Sequence, residues 1–355
     1  MFGLSFGKNV FVGVDIGTSA IKLVEMRNDS GKPVLSNYAW VSFDGYFQRD
    51  ENNSQLYETI LPEYIKKMIK ESGMKGRKAC VSIPAFGGLI TLIEFPPMAK
   101  EDMEQAVRFE AHKYVPTSLD EVVLSWDIIN QVDPGNKELP DGKTQVLLVA
   151  ASRNKVIRYE KMITDSGLKL DSIEIEGFSI VRSLIGNDPG NFIIADIGSR
   201  VCNILLVEKG IIRANRNIDA GGEDITKIIA KSMSVTEERA EKLKISGKDF
   251  FAADSYIKFP ALELISNEII RITNAYSKDG QKLKIDSVIL SGGTAKLAGL
   301  CQYLTQVLKI KTIVGNPFGR VSFDKKLEPA IRDMGTKFSV SVGLAIKEME
   351  QIKNK

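Results

Sequence analysis

The sequence predicts an α/β protein made of two related halves, with a further unit inserted into the first half. The main reason is a repeated motif: the tripeptide Asp-Ile-Gly, which begins at Asp15 and again at Asp196, closes an apolar run each time and precedes a hydroxyl residue. A pattern of three strands and a helix also occurs twice, once around each copy. The segment between the halves, about residues 87–167, has a pattern of its own.

In the first half, strands are predicted at 10–16, 21–26 and 34–43, where apolar and β-branched residues lie between turn residues. A helix at 54–72 follows, because apolar residues recur there at intervals of three and four. A short strand at 79–84 completes this half.

The second half repeats that order. Strands are predicted at 192–197, 203–208 and 211–217, and a helix near 223–233. When the two halves are aligned on their Asp-Ile-Gly tripeptides, Lys22 aligns with Asn203 and no gap is needed. This agreement beyond the tripeptide indicates an internal duplication.

The inserted segment is large enough to form a subdomain. Its predicted elements are strand 89–95, helix 101–114, strands 122–131 and 144–151, and helix 154–166. The polar residues 133–143 are predicted to form a hairpin loop. We interpret the segment as an interaction module.

A third glycine motif lies late in the chain. A strand beginning at Val288 runs into Gly292, Gly293 and Thr294, and a helical pattern follows over 296–304. Further helices are predicted at 261–276 and 338–353.

The composition excludes several classes of function. The 355 residues suffice for two domains, and the formal charge of +3 arises from both signs spread along the chain, so no basic stripe indicates a nucleic-acid partner. One histidine and three distant cysteines argue against a zinc site and for a reducing compartment. No run approaches the roughly 18 apolar residues of a membrane span. We therefore expect a cytoplasmic protein that reaches a membrane only through a partner.

The glycine turns suit phosphate binding, because glycine lets backbone N–H groups approach a phosphate closely. In the first turn, the hydroxyls of Thr18 and Ser19 add donors and Lys22 could supply a positive charge. Asp15 and Asp196 are expected at adjacent strand ends, where Mg²⁺ can be held through water. The alternative is that the glycines only close β-hairpins. Two copies of the turn in register, followed by a third glycine motif, argue against this alternative.

This order of motifs resembles the two phosphate motifs and the adenosine motif of the actin/Hsp70/sugar-kinase superfamily. The resemblance implies two RNase H-like domains with ATP and Mg²⁺ between them. The inserted βαββα segment resembles the 1C subdomain of the cell-division protein FtsA and not the 1B subdomain of actin. The implied division is given by residue numbers: subdomain 1A is 1–86, 168–190 and 338–355; 1C is 87–167; 2A is 191–225 and 279–337; 2B is 226–278.

Within that superfamily the chain is most similar to the PilM family of type IV pilus assembly proteins. The resemblance is carried by VGVDIGTSAIK (12–22), FEAHKYVP (109–116), IDAGGEDIT (218–226) and AEKLK (240–244). It implies docking of the N-terminal cytoplasmic tail of PilN, an inner-membrane protein. It also leaves room for contacts with other platform proteins, the assembly ATPase and further copies of the chain.

The resemblance also assigns residues to roles. Asp15 and Asp196 are the metal-linked aspartates, and Glu176 stands where actin-like ATPases often place an acid that orients water, although the Glu-Pro pair usual in bacterial actins is absent here. The implied nucleotide-binding residues are Gly17, Thr18, Ser19, Lys22, Gly198, Ser199, Gly221, Gly222, Glu241, Lys244, Gly292, Gly293 and Thr294. Two alternatives stay open, a filament-forming division protein like FtsA and a metabolic kinase of the superfamily. Whether ATP is hydrolysed or only held also stays open.

Overall fold

A computed structural model describes residues 10–42, 56–130, 142–252, 255–278 and 281–353. The predicted loop at 133–143 falls almost entirely outside these residues. Within the described ranges, no helix is both long enough and apolar enough to cross a membrane.

The described residues form strands and helices that follow the predicted order closely. The strands are β1 (Val10–Ile16), β2 (Ala20–Asp29), β3 (Lys32–Ser42), β4 (Lys78–Ile83), β5 (Gly88–Phe95), β6 (Val122–Asn130), β7 (Thr144–Ser152), β8 (Lys169–Ile175), β9 (Asn191–Ile197), β10 (Cys202–Glu208), β11 (Ile211–Ile218), β12 (Ser277–Lys278), β13 (Gln281–Lys282), β14 (Ser287–Ser291) and β15 (Thr312–Val314). The helices are α1 (Leu61–Ser72), α2 (Lys100–Ala111), α3 (Arg153–Asp165), α4 (Glu176–Leu184), α5 (Gly222–Met233), α6 (Glu237–Ile245), α7 (Pro260–Ala275), α8 (Leu300–Leu308), α9 (Glu328–Met334) and α10 (Ser339–Lys353).

Two five-stranded sheets of the same topology form the centre of the protein. Their strand orders are β3-β2-β1-β4-β8 and β11-β10-β9-β14-β15. In each sheet three consecutive strands form an antiparallel meander: β1, β2 and β3 in one, and β9, β10 and β11 in the other. The other two strands, β4 and β8 or β14 and β15, run parallel to β1 or β9. The register pairs Asp15 with Lys22 in one sheet and Asp196 with Asn203 in the other. The predicted duplication is therefore present in the strand pairing.

Helices cover the sheets in layers. Leu61 and Ile65 of α1 pack with α3 against one face of the first sheet. Between the two sheets lie α4 and α10, with Ile180 and Leu344 in a shared core. The outer face of the second sheet is covered by α5, α7 and α8. This layering places the carboxyl ends of β1 and β9 at a common cleft.

The inserted segment forms a three-stranded antiparallel sheet, ordered β5-β7-β6, with α2 on one face. Met103 and Val107 of α2 pack on Phe95 and Leu148. The helix ends at Ala111 and not at residue 114 as predicted, because Lys113 and Tyr114 already form tight turns before Pro116.

Helix α3 belongs to a different core from α2. It was predicted as part of the inserted unit, but Tyr159, Met162 and Ile163 pack into the core of the first sheet beside α1. The subdomain limits stay predictions, and this packing bears on where the insertion ends.

Two predicted helices differ in detail from the structure. Residues 296–304 are not one helix: a 3₁₀ turn covers Gly293–Lys296, and α8 starts at Leu300. The break lies at Gly299, whose φ is +79° and where a Cβ atom would come 2.2 Å from the Asp249 carboxylate. The helical stretch predicted at about 54–72 consists of a π-helical turn at Leu56–Ile60 followed by α1, and residues 54 and 55 lie outside the described residues.

Candidate functional site

Both Asp-Ile-Gly motifs form hairpin turns with the same hydrogen bond at the cleft. The Gly17 N–H donates to the Ala20 carbonyl at 3.0 Å, and the Gly198 N–H donates to the Val201 carbonyl, also at 3.0 Å. A strand follows each turn directly. The strands predicted on both sides of each turn are therefore confirmed, and each turn closes a β-hairpin.

An ion pair between Asp15 and Lys22 occupies the first side of the cleft. The Lys22 Nζ atom lies 2.8 Å from Asp15 Oδ2, and Asp15 is only 3% exposed. Burial by itself would lower the pKa of Lys22, but nearby carboxylates outweigh it and raise the pKa. Those carboxylates are Asp15 first, and then Asp196 of the second half and Glu176 of the first half. The acids of both halves therefore lie within electrostatic reach of one ammonium group.

Glu176 is the first residue of α4 and lies within electrostatic reach of Asp15, Asp196 and Lys22. Its Oε1 atom accepts a 2.9 Å hydrogen bond from the Ala85 N–H. Burial, with smaller contributions from the Asp196 and Asp15 carboxylates, raises the pKa of Glu176 to about 8. Burial also raises the pKa of Asp196. With this pKa, Glu176 is mostly protonated at neutral pH and can donate a hydrogen bond.

The second turn, α5, α6 and the third glycine motif meet at one corner. The Gly222 N–H donates to the Gly198 carbonyl at 2.9 Å, and a Cβ atom on Gly222 would lie 2.7 Å from Thr294 Oγ1. Lys244 Nζ donates to the Gly222 carbonyl at 2.9 Å and pairs with Glu241 at 2.6 Å. Five of the predicted residues are thus in one cluster.

Gly292 and Gly221 shape the backbone around that corner. Gly292 has φ +85°, and a Cβ atom there would come 2.4 Å from the Ile197 carbonyl. The Gly221 N–H donates to Asp224 Oδ2 at 2.9 Å. The α-helix predicted after the third glycine motif does not begin next to it, because a 3₁₀ turn covers Gly293–Lys296.

Other predicted residues are placed less tightly. Thr18 and Ser19 are partly exposed on the first turn. The Ser199 hydroxyl donates to Glu223 Oε1 at 2.7 Å, so it is already engaged. Across the described ranges, no group of three His, Cys, Asp or Glu side chains could cage a metal ion. Asp15 and Asp196 nevertheless suit Mg²⁺, which commonly takes one or two carboxylates together with phosphate and water.

The structure also brings residues to the cleft that the sequence did not single out. Lys337 Nζ lies 5.2 Å from the centroid of the Trp40 ring, and its Cε is 4.0 Å from a Cβ position on Gly293. Asn203 faces Asp196 across β9 and β10. The alignment of Asn203 with Lys22 was the only sequence signal for it, and Lys337 had none.

Comparison with known protein families matches residues 13–349 to the family described as type IV pilus assembly protein PilM. The chain belongs to this family. The prediction made from the motifs is therefore confirmed, as is the two-domain actin-like ATPase fold.

Solved structures and curated relatives agree with this placement. A structure of a PilM–PilN type IV pilus biogenesis complex is 25% identical to this chain, with a TM-score of 0.79 over 95% of this chain and 98% of the other. MreB5 of Spiroplasma citri, solved with AMPPNP, is 12% identical with a TM-score of 0.52 over 98% of each chain, which shows the fold alone. The cell division protein FtsA of Streptococcus pneumoniae serotype 2 (strain D39 / NCTC 7466) is 19% identical over 350 residues, which are 87% of this chain and 76% of the relative.

Proposed function

We propose that this PilM-family chain is an ATP-binding scaffold of the type IV pilus assembly platform, in which the bound nucleotide controls contacts with a partner. The observation that carries the nucleotide part is the convergence of Lys22 with acids from both halves, at two equivalent glycine turns. The MreB5 structure of the same fold holds AMPPNP, which supports this assignment.

The cleft residues fit a nucleotide with its metal. Thr18 and Ser19 are partly exposed on the first turn and can donate from their hydroxyls, and Lys22 offers a positive charge to a phosphate. Asp15 and Asp196 would hold Mg²⁺ through water, and the ion would neutralise phosphate charge. Lys244 and Thr294 would contact the nucleoside, and Gly221 and Gly222 would lie near the terminal phosphate. Residue 222 is glycine because a Cβ atom there would come 2.7 Å from Thr294 Oγ1. Glu176, protonated near neutral pH, is suited to hold a water by donating to it and is poorly suited to deprotonate it.

A polar bridge links the second sheet to the inserted segment. Arg213 of β11 pairs with Glu208 at 2.7 Å and donates to Gln145 Oε1 of β7 at 3.1 Å. Gln145 Nε2 donates in turn to Glu94 Oε1 of β5 at 3.1 Å. A rotation of the second half would therefore act directly on the inserted sheet, which supports coupling between the nucleotide and the insertion.

The partner proposed is the N-terminal cytoplasmic tail of PilN. The most direct support is the solved PilM–PilN complex, which aligns with 95% of this chain. The inserted unit also presents an aromatic surface, since Phe109 is 74% exposed and Tyr114 is 40% exposed. Through this partner the chain would lie at the cytoplasmic face of the inner membrane. Contacts with other platform proteins, with the assembly ATPase and between copies of the chain remain predictions.

Calorimetry tests the nucleotide part. The chain is expected to bind Mg-ATP, and Asp15→Ala to weaken that binding, while Asp120→Ala on the exposed part of the insertion should have no effect. If the unaltered chain releases no heat with Mg-ATP and shows no thermal shift, the nucleotide part is wrong.

A labelled synthetic PilN tail tests the partner part. The purified chain should bind it, and the affinity should differ between Mg-ATP and nucleotide-free protein. A tail that does not bind under either condition contradicts the docking role, and equal affinities contradict only the coupling.

The match to FtsA keeps one alternative open, a protein that forms filaments with ATP. Electron microscopy of the purified chain with Mg-ATP distinguishes it, because long protofilaments would favour the FtsA-like role. Rapid sugar-dependent turnover of ATP would favour the kinase alternative, for which we found no sugar-site motif.

A further inference from the structure

The cleft holds a buried amide side chain whose donor and acceptor are both unsatisfied. Asn203, the second residue of β10, is 2% exposed. Within the described part of the chain, neither its Oδ1 nor its Nδ2 atom has a hydrogen-bond partner. An unpaired buried polar group is costly, and native proteins rarely keep one without a reason. A ligand of the cleft would supply the missing partners.

Strand pairing determines where Asn203 lies. It stands directly opposite Asp196, and residues paired in this way project from the same face of a sheet. Leu205, two residues further along β10, shares that face and lies 3.2 Å from a Cβ position on Gly177, next to Glu176. The amide therefore faces the first half of the protein, beside the acids of the cleft.

The two copies of the motif differ at this position. In the first copy Lys22 completes an ion pair with Asp15 at 2.8 Å. In the second copy Asn203 makes no hydrogen bond with Asp196, although the two residues are paired. In the first copy Lys22 and Asp15 pair with each other, whereas in the second copy the amide nitrogen and the amide oxygen of Asn203 have no partner. A phosphoryl oxygen can accept from Nδ2, and a water can donate to Oδ1.

The position also indicates which end of a nucleotide the amide meets. The predicted nucleoside contacts lie on α6 and the third glycine motif, whose Ala240 and Ala295 pack on the outer face of the second sheet. Asn203 is on the opposite face, beside Asp196 and on the same side as Leu205, which packs against the first half. It is therefore on the phosphate side of the cleft.

We infer that Asn203 binds the terminal phosphoryl group of a nucleoside triphosphate and makes the cleft favour triphosphate over diphosphate. This inference rests on the proposed nucleotide-binding function. The amide donates to the phosphoryl oxygen without adding a charge next to Asp196. It acts by positioning that group and is not a catalytic residue.

Asn203→Leu tests the inference, because leucine keeps the shape and removes both hydrogen-bonding groups. Binding of Mg-AMPPNP and Mg-ADP to the full chain is measured by calorimetry. The affinity for Mg-AMPPNP should fall about 10- to 100-fold, the range expected for a lost hydrogen bond to a charged group, and that for Mg-ADP should stay within about twofold. The melting temperature of the nucleotide-free protein should be unchanged or higher, since an unpaired buried amide is gone.

Asn215→Leu is the matched control. Asn215 Oδ1 is also buried without a partner, but this residue pairs with Leu205, further from Asp196. Both affinities should stay within about twofold of the unaltered chain.

Each remaining outcome counts against the inference. If Asn203→Leu leaves the ratio of the two affinities unchanged, with or without a lower melting temperature, the assignment is overturned and the nucleotide function stands. If the unaltered chain binds neither nucleotide, both proposals fail together.

Discussion

Replacing Glu176 by glutamine is expected to change how the stability of the nucleotide-free protein depends on pH. The folded protein raises the pKa of this carboxyl from its ordinary value of 4.5 to about 8, through burial and the neighbouring Asp196 and Asp15. Between these values the folded protein holds a proton that the unfolded chain has lost. Stability contributed by this proton is complete below pH 4.5 and is lost as the pH rises towards 8.

The magnitude follows from the same interval. Each pH unit between the two pKa values is worth about 1.4 kcal/mol, so the free energy of unfolding should fall by roughly 3 to 4 kcal/mol between pH 5 and pH 8 on account of this residue alone. Glutamine keeps the acceptor for the Ala85 N–H and cannot ionise. The Glu176→Gln protein should therefore lose less stability over this range.

Urea unfolding at pH 5, 6, 7 and 8 measures the effect as the difference between the two proteins. Comparing the difference across pH cancels the other titrating groups, which both proteins share. Glu104→Gln, on the exposed face of α2, is the control and should give a constant difference. If the curves of Glu176→Gln and the unaltered chain run parallel from pH 5 to pH 8, the reasoning about the cleft is refuted.

Three further predictions follow from particular contacts. Lys22→Met should lower the free energy of unfolding by about 3 to 5 kcal/mol, because it leaves the buried Asp15 carboxylate unpaired. Adding Asp15→Asn should recover much of the lost stability. Urea unfolding measures both variants, and a Lys22→Met protein as stable as the unaltered chain contradicts the prediction. Gly222→Ala should lower the free energy of unfolding by about 1 to 3 kcal/mol, because the new Cβ atom would be 2.7 Å from Thr294 Oγ1. Adding Thr294→Ala should restore part of that stability. Calorimetric melting of the single and double variants measures this, and a double variant no more stable than the single one contradicts it. Arg213→Met should leave the affinity for Mg-ATP unchanged but remove the difference in PilN-tail affinity between the protein with and without Mg-ATP. If that difference persists, the bridge to Gln145 does not carry the coupling.

The two halves could be predicted because their signals are local. A hairpin requires an apolar strand, a turn that admits glycine and a second strand, all within about fifteen residues. Asp15 and Asp196 each lie within such a stretch, and both turns formed as predicted. The helix over 296–304 was wrong for the opposite reason. Its apolar spacing is helical, but the left-handed Gly299 beside Asp249 depends on a distant part of the chain.

The sequence by itself determined the duplicated topology, the family and the residues that line the turns, because these depend on short-range periodicity and on motifs. Only the tertiary structure decided the chemical state of the cleft. The pKa of Glu176 is raised by burial and by the carboxylates of Asp196 and Asp15, which belong to different halves. The amide of Asn203 is buried without a partner. The bridge from Arg213 to Gln145 arises because β11 packs beside the insertion. Charge interaction and desolvation depend on distance in space, which a linear pattern does not contain.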